Sequence, residues 1–125
     1  MIRISNAEYD LLLSFNPCDI FGYFGVERMH GLSVHECELC ENTTESAYIA
    51  GWCNISPIDK KPFVFINLSR CTDTMHTTGL VMHEMSHLYW LLNYDDLQNS
   101  EEDIITNAEL ETYRVVEIIN SIKNS

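Results

Sequence analysis

Leu80-Val81-Met82-His83-Glu84-Met85-Ser86-His87-Leu88-Tyr89 places an H-E-x-x-H spacing inside an apolar run. At about 100° per residue, side chains four apart stack on one face of a helix, so His83 and His87 can share one metal ion. Glu84 stands beside them, where its carboxylate reaches a water on the open side of that metal and takes its proton. Leu80, Val81, Met82, Met85, Ser86 and Leu88 are uncharged. That predicts a buried helix of which only the two histidines and the glutamate turn toward a cleft. The plainer alternative is a pair of core histidines. Against it stands the cost of burying three titratable groups together without a metal to compensate.

Outward from the motif, Thr72-Asp73 supplies a helix N-cap and residues 74–92 are helix-compatible. Leu80, Val81, Met82, Met85, Leu88, Tyr89, Trp90, Leu91 and Leu92 surround that helix, which predicts a place at the centre of the domain. Asn93-Tyr94-Asp95-Asp96 ends it. Glu101-Glu102-Asp103 then puts acids at the positive start of a last helix, with Ile104, Ile105, Ala108, Val115, Val116, Ile119 and Ile122 on one broad face.

Upstream, Phe63-Val64-Phe65-Ile66-Asn67-Leu68 is the strongest strand pattern by β-branched and aromatic content. Residues 47–55 form a second strand, apolar on both faces and therefore expected to be central, and residues 32–35 a first. Ser5-Asn6-Ala7-Glu8 has the S-x-x-E form of a capping box, which predicts a short helix over residues 9–15 stopped by Asn16-Pro17. The expected class is α+β. One domain, residues 1–125, would hold a small antiparallel sheet of about three strands packed on the central helix, with N-terminal and C-terminal helices.

A tetrahedral zinc that keeps one position for water needs a third protein ligand besides His83 and His87. No histidine follows His87, so the ligand must be a carboxylate, and the last helix offers Glu109 and Glu111. With Ile104 at 0° and about 100° per residue, the apolar positions centre near 40°, Glu111 falls at about 340° and Glu109 at about 140°. Glu111 is the closer to the buried face and is the preferred third ligand, with Glu109 the alternative.

With these residues in view, the chain resembles the ImmA/IrrE-type metallopeptidases, a zincin family of gluzincin-like ligation. The match runs over Phe63-Val64-Phe65-Ile66-Asn67, then Val81-Met82-His83-Glu84-Met85-Ser86-His87-Leu88, then Glu109-Leu110-Glu111-Thr112-Tyr113-Arg114-Val115-Val116. Thr112-Tyr113 replaces the family's Ala-Asn, and Met85-Ser86 replaces a commoner Leu-Gly. The resemblance implies a minimal zincin-like fold and a zinc-dependent peptidase that cleaves an intracellular protein, often a regulator.

Composition narrows the alternatives. The net charge is −12 with 7 Lys plus Arg, so the clustered cations of a nucleic-acid phosphate track are missing. No apolar run approaches the roughly 20 residues of a membrane span. The N-terminus, Met1-Ile2-Arg3-Ile4-Ser5-Asn6-Ala7-Glu8, lacks the pattern of an export signal, so a cytoplasmic location is expected, with free thiols as the default for Cys18, Cys37, Cys40, Cys53 and Cys71. A structural zinc held by Cys37, Cys40, Cys53 and Cys71 would need a second paired spacing, which the sequence does not provide.

In the expected chemistry, zinc held by His83, His87 and Glu111 polarises a peptide carbonyl and Glu84 is the base. An extended substrate pairs with an exposed edge strand, residues 63–68. Tyr113, Tyr94 and His76 are the candidates for stabilising the oxyanion, each more simply read as structural. The rival function is an interaction protein that uses a zincin scaffold to hold a partner without cleaving it. A third reading is a hydrolase of a non-peptide amide.

Overall fold

The computed structural model describes residues 1–26, 28–29, 32–33, 50–93 and 101–124. The class is α+β: among the described residues, three helices accompany a mixed sheet of four strands rather than an antiparallel one of three. The chain divides into two compact units, residues 1–70 and 71–125.

The first unit holds the sheet. Strands β1 (Ile2–Ser5), β2 (Asp10–Ser14), β5 (Gly51–Ile55) and β6 (Pro62–Asn67) lie in the order β1-β2-β6-β5. The pairs β1/β2 and β5/β6 are antiparallel and β2/β6 is parallel, with Leu12 opposite Phe65. Helix α1 (Asp19–Phe24) follows β2, and a small ladder joins β3 (Arg28–Met29) to β4 (Leu32–Ser33).

The expected helix over residues 9–15 is instead β2. Leu11, Leu12 and Leu13 are fully buried, and a short apolar run covered on both faces belongs to an inner strand. The capping box is not formed either. Asn6, not Ser5, does the local bonding: its Oδ1 accepts the backbone N–H groups of Glu8 and Tyr9, turning the chain from β1 into β2. On one face of the sheet Leu12, Phe63 and Phe65 pack with Ile20, Phe21 and Phe24 of α1. Each such fully buried side chain contributes about 1.5–3 kcal/mol. Gly25 ends α1 in the left-handed region (φ 67°), its N–H returning to Gly22 O.

Two expectations about strand position are corrected. β5, expected to be central, is the outermost strand on its side of the four, and each of its residues is half-buried. β6, expected to offer a free edge over residues 63–68, lies between β2 and β5 with both edges hydrogen bonded. Its Phe63, Val64, Phe65 and Ile66 are buried, and burial on both faces draws such a sequence inward rather than to an edge. Of the expected first strand the described residues hold Leu32–Ser33, which pairs with β3; Val34, His35 and residues 47–49 lie outside the described residues.

The second unit is a pair of long helices, α2 (Thr74–Leu92) and α3 (Glu101–Lys123). Asp73 caps α2 as the sequence predicts, its Oδ1 accepting the N–H of His76. α2 is not buried all round: Thr77, Val81, Glu84, Met85 and Leu88 are buried, whereas Met75, Met82, Trp90 and Leu91 are exposed. α3 buries Ile104, Ala108, Thr112, Val115, Val116 and Ile119 and exposes Ile105. Lys123 Nζ donates to the carbonyl of Cys71, tying the end of α3 to the start of the unit. No helix of the described residues is long and apolar enough to cross a membrane.

Candidate metal centre

The four-residue spacing on α2 brings His83 and His87 together. Their Nε2 atoms are 3.2 Å apart, and the rings meet edge to face with centroids 4.8 Å apart. Two nitrogens bound to one tetrahedral zinc at about 2.0–2.1 Å would be separated by about 3.3 Å. The pair therefore already has the bite of a shared cation. Without one, the contact is a hydrogen bond where one ring carries its proton on Nε2 and the other does not. Both histidines are exposed, whereas Glu84, expected to turn with them toward a cleft, is buried; the histidines lie on the side of α2 away from Val81, Met85 and Leu88.

Glu84 is the buried member of the motif at 5% exposure, and it has no hydrogen-bond partner among the described residues. Burial alone pushes its carboxyl up to about 7. Among the described residues no fully buried side-chain nitrogen or oxygen lacks a partner, so the Glu84 oxygens keep some access to solvent. A carboxyl that takes and releases a proton near neutrality, beside two nitrogens set for a cation, is suited to general-base work.

The two acids on α3 are held differently. Arg114, three residues on, grips the Glu111 carboxylate through Nε and Nη2, with Nε 3.0 Å from Oε1. The sequence shows that pairing in its i, i+3 spacing. Glu111 is half-buried and Glu109 exposed, in line with their helical phases. Glu109 accepts the Tyr113 hydroxyl at 2.9 Å and, with Met82 and Ser86 of α2, lines a cleft of about 110 Å³ between the helices. That bond to a carboxylate raises the Tyr113 phenol above its usual range. Among the described residues, no three His, Cys, Asp or Glu side chains stand close enough together to hold a metal ion.

Two of the sequence's oxyanion candidates have local structural partners. His76 Nδ1 is 2.8 Å from Asp73 at the start of α2, and Tyr113 is bonded to Glu109 on its own helix. Tyr94 lies outside the described residues, as do Cys37 and Cys40. Burial raises the Cys71 thiol above its usual range.

Two features of the centre escaped the sequence. One is the burial of Glu84 between exposed histidines, which followed in principle from its place some 100° around α2 from His83. The other is the cleft beside the motif, for which the sequence carried no signal beyond the apolar Met82, Trp90 and Ile105. Compared with models of protein families, with curated proteins and with solved structures, the chain finds no match in any of the three.

Proposed function

We propose that this chain is a zinc-dependent metallopeptidase that hydrolyses a peptide bond in a protein substrate. The observation that carries the proposal is the set on two turns of α2: His83 and His87 with Nε2 atoms 3.2 Å apart, and the buried Glu84 carboxyl, which has no hydrogen-bond partner among the described residues and is raised to about 7. The imidazole pair fits zinc in donor type and separation. Glu111 is proposed as the third ligand, which requires it to turn from Arg114. Glu109 already serves Tyr113 and the cleft. The zincin-type arrangement belongs to the same proposal.

Zinc, when bound, supplies a Lewis acid for the scissile carbonyl and for the attacking water. The chain's own groups do the rest. His83 and His87 hold the ion by neutral Nε2 atoms, so both rings must be without a proton there. A Glu84 Oε takes the proton of the attacking water as its oxygen bonds to the carbonyl carbon. The same Oε then delivers that proton to the leaving amine nitrogen as the C–N bond breaks.

Zinc content and hydrolysis test this together. Wild type is expected to hold one equivalent of zinc, and His83→Ala to weaken it by at least about 100-fold, in competition with a chromogenic chelator. Glu84→Gln should keep the zinc and lose about 10²–10⁴-fold in cleavage of unfolded proteins, scored by their new N-termini. Equal cleavage by wild type and Glu84→Gln would defeat the peptidase reading. Zinc affinities of Glu111→Gln and Glu109→Gln identify the third ligand.

A further inference from the structure

We propose that the cleft between α2 and α3 is a specificity pocket for one aliphatic side chain of the substrate, with a lysine or arginine beside it in the peptide meeting Glu109. The inference rests on the peptidase reading and names the substrate class that reading leaves open. The cleft holds about 110 Å³ and is lined by Met82, Ser86, Trp90, Ile104, Ile105 and Glu109, with Ala108 at its buried side. A closed apolar cavity of about 150 Å³ is known to hold benzene, so this one suits a leucine-sized group. Trp90 and Ile105 are each about half exposed, at 53% and 49%. Apolar groups gathered at a concave surface gain by being covered.

Position connects the cleft to the motif. Met82 and Ser86 each immediately precede a histidine of the pair. Cleft and imidazoles therefore share the same two turns of α2 and are neighbours around its axis. A side chain seated in the cleft belongs to a residue close to the bond presented to His83 and His87.

Charge selects what accompanies that side chain. Residues 74–92 contain no lysine or arginine. On α3, Glu102 and Glu109 are seven apart and so share a face, with Ile105 between them, and both are exposed. A basic neighbour in the peptide meets this acidic rim, whereas an acidic neighbour meets repulsion.

The test uses zinc-loaded Glu84→Gln protein and three fluorescein-labelled peptides: Gly-Gly-Leu-Arg-Gly-Gly, and its forms with Ala for Leu or Glu for Arg. By anisotropy the first should bind at least about tenfold more tightly than the alanine form. It should also bind more tightly than the glutamate form. Ser86→Leu, which fills the cleft from its exposed side, should abolish the leucine preference, and Glu109→Gln the arginine preference, each at a zinc content equal to that of the Glu84→Gln parent; loss of zinc from Glu109→Gln would make Glu109 a metal ligand and overturn its part in the pocket. Ile105→Ser, at a half-exposed site, repeats the first result should Ser86→Leu fail to fold. Equal binding of the three peptides, or preferences unchanged by these variants, overturns the inference. Preferences that hold while wild-type protein cleaves nothing uphold the pocket and remove the peptidase reading. Cleavage by wild type without preference does the reverse.

Discussion

α2 and α3 each bury a single stripe, and they differ in what they show on the other side. α3 turns Glu101, Glu102, Glu109, Arg114 and Glu117 outward, with Ile105, Leu110 and Tyr113 exposed among these charges. α2 turns Met75, Met82, Trp90 and Leu91 outward together with His83 and His87. The first surface intersperses its apolar groups with charges, whereas residues 74–92 expose no Asp, Glu, Lys or Arg. An uncharged, largely apolar outer face around a histidine pair supports the ligand-binding reading proposed above.

The contrast between the two sides of α2 can be broken most directly at Leu88 and Met82. Leu88→Ala, at a fully buried site, should cost about 2–5 kcal/mol in denaturant unfolding. Met82→Ala, at 37% exposure, should cost less than about 1 kcal/mol. Similar losses at the two sites would mean that α2 is not one-sided.

Glu84 sharpens the comparison through pH. Its folded-state pKa, about 7, lies above its ordinary 4.5, so between those values the folded protein binds more proton than the unfolded chain. Stability of the zinc-free protein therefore falls as pH rises through this window. Glu84→Gln should flatten that fall and raise stability at pH 8 by up to about 3 kcal/mol. A wild-type protein as stable at pH 8 as at pH 5 in chelator would contradict the burial assigned to Glu84.

The smallest effect belongs to the cap of α2. Hydrogen bonds from the His76 backbone and ring hold the exposed Asp73 carboxyl below its ordinary 3.8. A depressed acid stabilises the fold above that value and loses its contribution as pH falls through the lowered pKa. Asp73→Ala should therefore lower Tm at neutral pH, with the difference from wild type narrowing in acid. α3, whose first turn carries Glu101, Glu102 and Asp103 in the helix field, should not respond to this change.

Local signals carried α2 almost unaltered from sequence to structure. Its cap at Asp73, its length and the meeting of His83 with His87 all depend on residues within one or two turns of each other. The sheet was less legible. Asp10-Leu11-Leu12-Leu13-Ser14 is short and apolar, and such a run fits a helix or a strand equally until a neighbour is known. Its strand state is settled by Phe63 to Asn67, more than fifty residues later in the chain. The positions of β5 and β6 were exchanged for the same reason. Central and edge strands differ in what lies beside them, and strand sequences carry only a weak trace of that.

For the site, the sequence by itself determined the donor types and their phase: two imidazoles on one helical face, a carboxyl about 100° from the first, and acids about two to three turns along a second helix. The tertiary structure alone decided burial. It left the histidines open, covered Glu84 and so raised its pKa, engaged Glu111 with Arg114, and turned Glu109 to a cleft beside Met82 and Ser86. The physical reason is that phase is a property of one helix, whereas desolvation and shape arise only where separate stretches of chain are packed together.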